Sequence, residues 1–391
     1  MIKHRHAVFL DINTFAREEF TSGLLITVRE ILKRISKTSI SVSILSVAEG
    51  IKSKYWDKEH KLGQRERIIQ GIPIKEVLLK NPPERDSNSY VMTIRKLLSE
   101  TKPDLVIMNT PAVFLDEINI LSLKEAINTK ARVVILVVDE LFPTTKTHPR
   151  RQVEKYYNLV KRTEVIINSK RIKERFYKDT GINGEIFPNL FPYEDIISKN
   201  GKHEYITLIN HHPIKGREIF NAIVKKMPLK KFMIVENWPD VPLYTPPSKN
   251  VTFSKFIRYV PKLYGKIRIL LVLSLCQEGP ARVVMEALLN GIPVIANNIG
   301  SISEIGREYI HYVKPPSKIK NELKGTVIYP KISKSELNRV SNDFIKIIEK
   351  IDKNQEVWRK HSIVAKKYAL EYCRSAEKDF LFFVKHWFSQ S

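Results

Sequence analysis

Short apolar runs and amphipathic stretches alternate along both halves of this chain. In the first half, Ala7-Val8-Phe9-Leu10-Asp11, Val42-Ser43-Ile44-Leu45, Asp104-Leu105-Val106-Ile107-Met108 and the run from Val133 to Val138 have the composition of buried strands. In the second half the corresponding runs are Thr207-Leu208-Ile209, Phe232-Met233-Ile234-Val235, Leu270-Leu271-Val272-Leu273 and Pro293-Val294-Ile295-Ala296. Runs that are apolar on both faces suit parallel strands covered by helices on either side. Between them, Leu24, Leu25, Val28, Ile31 and Leu32 fall on one face of a helix, as do Ile219, Phe220 and Ile223. At 391 residues the chain exceeds one usual core. The expected architecture is α/β, with two Rossmann-like domains each built on a doubly wound parallel sheet. The expected division is 1–192 for the first domain, 193–202 for a polar linker, 203–370 for the second domain and 371–391 for a closing helix. Phe380, Leu381, Phe383, Val384, Trp387 and Phe388 give that last helix an apolar face, read as buried rather than as lying on a membrane.

One unit of this alternation carries unusual chemistry. The apolar run Ile269 to Leu275 leads to Glu278-Gly279-Pro280-Ala281-Arg282-Val283-Val284-Met285-Glu286, then Ala287-Leu288-Leu289, Gly291 and a further apolar run. The order is strand, turn, helix, strand. Pro280 suits the first helical turn, where its missing N–H costs nothing, and Gly291 stands where a left-handed C′ residue is wanted. A helix N-terminus presents unpaired N–H groups and the positive end of the dipole, which suits phosphate oxygens. Eight helical steps separate the glutamates by roughly 12 Å. A diphosphate at the helix mouth could therefore send a sugar toward one carboxylate and a ribose toward the other, both as hydroxyl donors to an acceptor. The competing reading makes Glu286 the i+4 partner of Arg282 on a helix surface, in the less favourable order and against the dipole.

The segment Leu273-Ser274-Leu275-Cys276-Gln277-Glu278-Gly279 through Asn297-Asn298-Ile299-Gly300-Ser301-Ile302-Ser303-Glu304 resembles the signature of retaining nucleotide-sugar glycosyltransferases of the GT-B fold. That resemblance implies that Glu278 contacts donor-sugar hydroxyls, that Glu286 contacts the nucleotide ribose, and that the backbone of Gly279, Pro280, Ala281, Arg282 and Val283 holds the donor. Pro280-Ala281 stands where the family usually has Phe-Gly. Earlier, Tyr205-Ile206-Thr207-Leu208-Ile209-Asn210-His211-His212-Pro213-Ile214-Lys215-Gly216 is similar to the segment whose lysine grips the donor diphosphate, which falls on Lys215. Asn210 replaces an arginine common there, and Arg282 is the candidate substitute; His211 is read as a turn residue lining the cleft. Arg132 to Pro143 resembles the strand that ends in His-Asp near the acceptor. Asp139 keeps the acid, and Val138 stands in the place of the histidine. Glu164 to Lys170 and Phe187-Pro188-Asn189-Leu190 resemble two further family segments, and Gly23 is the candidate for a glycine turn near donor or acceptor. The implied fold is GT-B, two domains facing a central cleft, with the last helix crossing back to the first domain. The implied catalytic set is Glu278, Asp139 and Lys215. The implied activity is transfer of a sugar to a glycan, lipid-linked or other acceptor. A catalytically silent glycan-binding protein or another GT-B sugar-phosphate enzyme is the alternative.

Composition adds partners and excludes some classes. Cys276 and Cys373 are the only cysteines, so no disulfide framework is implied. No Asp-x-Asp, which the other major glycosyltransferase fold commonly uses to hold a divalent cation, occurs, so no metal is expected; the resemblance implies no other cofactor. Asp11 interrupts the first apolar stretch too early for a secretory signal, and no apolar run approaches the ~20 residues of a spanning helix. The expected location is the cytoplasm, either free or peripheral to the inner face of a membrane. The formal charge of +24 admits nucleic acid, an anionic surface or simple solubility. No zinc-finger spacing or RNA-binding aromatic signature supports nucleic acid. The cluster Arg150, Arg151, Lys155, Lys161, Arg162, Lys170, Arg171, Lys173, Arg175 and Lys178 fits either a solvated surface or a face for anionic lipid.

Overall fold

The structure is a computed structural model, and it describes residues 5–12, 23–49, 63–69, 71–79, 87–111, 115–236, 248–254, 260–324 and 327–389. The chain forms two units, one of residues 1–190 with 376–391 and one of residues 191–375.

The first unit runs β1 (Arg5–Ile12), α1 (Gly23–Ser36), β2 (Ile40–Glu49), β3 (Gly63–Ile69), β4 (Ile72–Leu79), α2 (Ser87–Thr101), β5 (Leu105–Asn109), α3 (Glu117–Asn128), β6 (Arg132–Val137), α4 (Arg150–Val160), β7 (Glu164–Ile167), α5 (Lys170–Thr180) and β8 (Glu185–Ile186). Its sheet has the order β3-β4-β2-β1-β5-β6-β7-β8. Only the β3–β4 pair is antiparallel. Ala7 to Leu10 at the sheet centre are buried, as the apolar run requires, and Leu25, Val28, Ile31 and Leu32 bury one face of α1. Glu76 on β4 is fully buried as a charge and is held by Arg65 and Arg67 across the hairpin.

The second unit runs α6 (Tyr193–Ile196), β9 (Tyr205–Ile209), α7 (Arg217–Lys226), β10 (Phe232–Val235), β11 (Val251–Ser254), α8 (Val260–Tyr264), β12 (Ile267–Val272), α9 (Arg282–Leu289), β13 (Val294–Asn297), α10 (Ile302–Gly306), β14 (His311–Val313), the hairpin β15 (Lys320–Lys324) and β16 (Val327–Lys331), and α11 (Lys334–Asp352). Its parallel sheet has the order β11-β10-β9-β12-β13-β14. Counting successive strands, this is the third-second-first-fourth-fifth-sixth order of doubly wound sheets. The parallel strands β4-β2-β1-β5-β6-β7 of the first unit repeat it. Ile219, Phe220 and Ile223 are buried on one face of α7. The stretch 193–202, expected as a linker, carries α6, whose Ile196 lies in the second unit's core with Tyr193 and Ile197 packed against it.

The last helix, α12 (Gln355–Phe388), contributes to both units. Ala365, Tyr368, Ala369 and Cys373 join the second core. Further along, Phe380 and Trp387 enclose Phe187 of the first unit, at ring-centroid distances of 5.8 and 6.2 Å. Of the apolar face expected of this helix, Phe380, Val384, Trp387 and Phe388 are buried, whereas Leu381 is 46% exposed, as is its neighbour Phe382 at 72%. Among the described residues no helix is long and apolar enough to cross a membrane.

Candidate functional site

In the second unit the winding reverses between β9 and β12, which lie side by side while β10 and β13 continue outward in opposite directions. Loops leaving the carboxyl ends of such a pair form the usual ligand crevice of open α/β sheets. After β9, Asn210 takes a left-handed φ of 69°, which an asparagine tolerates better than most residues. Its Oδ1 accepts from the His212 amide at 3.0 Å, and His212 Nδ1 accepts in turn from the Ile214 amide at 3.3 Å. That last bond needs an unprotonated ring nitrogen. Burial, then Lys215, Arg217 and His211, push the His212 imidazole down to about 4. The turn closes at Gly216, with φ 85°, where a Cβ would lie 2.1 Å from the Leu273 carbonyl oxygen. Only glycine lets the β9 loop sit this close to the end of β12. Between the two loops the Leu275 amide donates to Ile214 O at 2.8 Å.

The β12 loop delivers Glu278 to the same place. Lys215 Nζ and Ser274 Oγ both donate to Glu278 Oε1, and Cys276 Sγ lies 3.8 Å from that oxygen. Burial works against the Lys215 ammonium, but the Glu278 carboxylate outweighs it and holds the lysine above its ordinary value. Burial, then Glu278, pushes the Cys276 thiol up to about 11, so it stays protonated. The loop backbone is fixed from several sides. Buried Asn297 donates to the Leu273 and Ser274 carbonyls, both at 3.1 Å. The Ser301 amide donates to Glu278 O at 2.8 Å, and Gly300, with φ 64°, packs against the Glu278 backbone.

The helix begins later than its sequence suggests. Pro280 lies before α9 rather than in its first turn, Ala281 is the N-cap without a side-chain bond, and the first helical residue is Arg282. Proline biases the residue before it away from the helical region, so the bend at Gly279-Pro280 delays the start. Glu286 consequently stands about one turn into the helix, not two. Gly291 has φ 65°, the left-handed residue expected just past the helix end. Glu286 Oε2 accepts from the buried Tyr264 hydroxyl at 2.6 Å. The Arg282 guanidinium lies 3.8 Å from Glu286 Oε1 and 4.5 Å from the centroid of Phe191. The i+4 pair is thus present but largely buried, its side chains 11% and 15% exposed, rather than on a solvated surface. Arg282 is engaged there, while Lys215 belongs to the separate pair with Glu278. His211, expected to line the site, is only 2% exposed and packs edge-on to Phe253 at 5.7 Å; it supports the turn from beneath.

Two candidates belong to the first unit. Asp139 follows β6 and accepts from the Leu141 amide at 2.8 Å. Burial holds its carboxyl above the usual range against that hydrogen bond, and Glu140 adds to the rise. Gly23 is the exposed first residue of α1; the turn before it lies outside the described residues. Ser274, Tyr264, Asn297, Gly300 and Phe191 were not singled out in the sequence. Of these, Ser274, Asn297 and Gly300 stood within the quoted segment without a role of their own, and Tyr264 and Phe191 lay outside it.

Residues 245–356 match the family model described as Glycosyl transferases group 1. A comparison with curated protein sequences found no match. Among solved structures, a glycosyltransferase from Rickettsia africae ESF-5 is similar with a TM-score of 0.65 at 14% identity, covering 100% of both chains. Anabaena Alr3699/HepE in complex with UDP-glucose has a TM-score of 0.65 at 15% identity, over 96% of this chain and 99% of that one. The fold is GT-B. The UDP-GlcNAc 2-epimerase from Neisseria meningitidis, bound to UDP-GlcNAc, has a TM-score of 0.53 at 15% identity, over 94% of this chain and 100% of that one. GT-B architecture is therefore similar to that of a sugar-isomerising enzyme too, and the family match over the segment holding Glu278 and Glu286 is the more specific finding. Among the described residues, no three His, Cys, Asp or Glu side chains are grouped to hold a metal ion.

Proposed function

We propose that this protein transfers a sugar from a nucleoside-diphosphate sugar to a hydroxyl of a glycan or lipid-linked acceptor, with the anomeric configuration retained. The observation that carries this reading is the pairing of Lys215 with Glu278 where the sheet of the second unit reverses, within a chain whose residues 245–356 match a glycosyltransferase family. UDP-glucose and UDP-GlcNAc bound to proteins of similar fold support the donor class. In the proposed reaction the acceptor oxygen bonds to the anomeric carbon as the bond from that carbon to the phosphate oxygen breaks. The acceptor proton passes to the departing phosphate on the same face, so no protein nucleophile is required. Lys215 and the first-turn amides of α9 would stabilise the charge that develops on the diphosphate. Glu278 would accept from a donor-sugar hydroxyl, Glu286 from the ribose, and Asp139 would act on the acceptor side. With cationic and amide groups in that role, activity is expected to persist in chelator.

The test is calorimetric titration of the Lys215→Ala variant with a nucleoside diphosphate and with the bare nucleoside. A hydrogen bond to a charged group contributes about 1.5–3 kcal/mol, so diphosphate affinity should fall more than tenfold while nucleoside affinity stays unchanged. Equal small losses for both ligands would count against the assignment. The anomeric coupling in the product's proton spectrum tests retention directly.

A cytoplasmic enzyme of this kind could also meet its acceptor at an anionic membrane. Lys170 and Lys173 share a shallow depression with Tyr177 and Ile186, which are 57% and 39% exposed. Cations beside exposed apolar side chains suit a lipid interface. Glu174 lines the same depression, Glu140 takes up Arg171 and Arg175, and Glu154 takes up Arg150, which reduces the charge on offer. Changing Lys170 and Lys173 to Gln should abolish low-salt co-sedimentation with anionic vesicles. Equal recovery on neutral vesicles would remove the membrane from the account.

A further inference from the structure

Glu278 presents its two oxygens unequally. Oε1 receives Lys215 Nζ and Ser274 Oγ and lies beside Cys276 Sγ, whereas among the described residues no hydrogen bond reaches Oε2. Lysine alone cannot impose this asymmetry, because an ammonium on a flexible stem follows a carboxylate through many rotations. A serine hydroxyl close to its own backbone can. Ser274 is 3% exposed, and its carbonyl and that of Leu273 are both bound by Asn297. Gly216 packs on the Leu273 carbonyl from the other side. Both ends of the Ser274–Glu278 turn are therefore fixed, since Ser301 and Gly300 hold the Glu278 backbone. The side-chain torsions of Glu278 are what remain to be set.

We propose that Ser274 is a positioning residue that fixes Glu278 Oε1 and leaves Oε2 as the acceptor offered to a donor-sugar hydroxyl. This rests on the donor-site reading of Glu278 given above. A carboxylate held in one orientation keeps the donor's sugar in one pose, and small losses of pose carry large rate penalties. Ser274 touches no ligand in this scheme; it acts through Glu278.

Ser274→Ala should lower kcat about tenfold, with KM for the donor changed less than threefold and affinity for nucleoside diphosphate unchanged. Ser274→Thr, which keeps the hydroxyl, should recover most of the rate. The deciding measurement is a double-mutant cycle with Glu278→Ala, read both in turnover and in the unfolding equilibrium. If Ser274 acts through Glu278, adding Ser274→Ala to Glu278→Ala lowers neither quantity further. Multiplicative losses in turnover, or an additive unfolding cycle, would overturn the role of Ser274 while leaving Glu278 as a donor contact. A non-additive unfolding cycle in a protein that turns over no nucleotide sugar would instead overturn the donor reading, and the positioning role with it.

Discussion

Replacing Glu278 with glutamine is expected to lower sugar transfer by about five- to tenfold, the worth of exchanging a charge-assisted hydrogen bond for a neutral one. The amide keeps the volume and still offers an oxygen to Lys215 and Ser274, so the fold should survive. Affinity for nucleoside diphosphate should change less than turnover, because in the proposed reading Glu278 accepts from the donor sugar while Lys215 meets the phosphates. Steady-state kinetics on the purified variant, beside calorimetry with the diphosphate, separate the two effects. A wild-type rate would remove Glu278 from the site.

A second large effect is expected at Gly300. Its φ of 64° disfavours any side chain, and a Cβ there would meet Glu278 O at 2.2 Å and Glu278 N at 2.4 Å. Both are backbone atoms, so no side-chain rotation relieves the collision. Gly300→Ala must push the loop away and break the Ser301–Glu278 bond of 2.8 Å that closes it. Overpacking of this kind costs about 1–3 kcal/mol. For a unit of this size that lowers the melting temperature by roughly 2–4 °C per kcal/mol. Activity should fall by more than the unfolded fraction explains, because Glu278 moves with its backbone. Gly181→Ala is the control, with φ 69° and no atom within 4 Å of the added Cβ. It carries the backbone strain without the collision. Equal effects at the two positions would show that strain alone, not contact with Glu278, governs Gly300.

The strands of both sheets were legible wherever burial on two faces left an unbroken apolar run, as in Ala7 to Leu10 or Leu270 to Leu273. The β3–β4 hairpin was not. Its inward position at Glu76 is a charge that is tolerable only because Arg65 and Arg67 face it, and no local pattern announces that partnership. The short strand β14 spans three residues, too few for any periodicity. The glutamate pair was visible because glycine and charge interrupt an apolar run at a telling place, whereas Lys215 and Gly216 stood out only through the resemblance of their segment to a glycosyltransferase one. The start of α9 was misplaced because Pro280 is compatible with a first helical turn, and only the surrounding loop decides that it lies outside. The contacts that aim the two glutamates were hidden for a different reason. Tyr264 and Asn297 act through partners that the fold, not the local sequence, brings near, and Ser274 reaches Glu278 only because the turn between them folds back.

The central claim is that the second unit binds a nucleotide sugar through the diphosphate at Lys215, and the melting temperature across a panel of nucleotide sugars, nucleoside diphosphates and free sugars tests it most directly. A ligand at 100 times its dissociation constant adds about 2.7 kcal/mol to a protein that binds it only when folded. At least one nucleotide sugar should therefore raise melting by several degrees, its nucleoside diphosphate should retain much of that shift, the free sugar should give none, and Lys215→Ala should cut the shift at the same concentration by about half or more. No shift with any nucleotide sugar at millimolar concentration, or an undiminished shift in Lys215→Ala, would contradict the account.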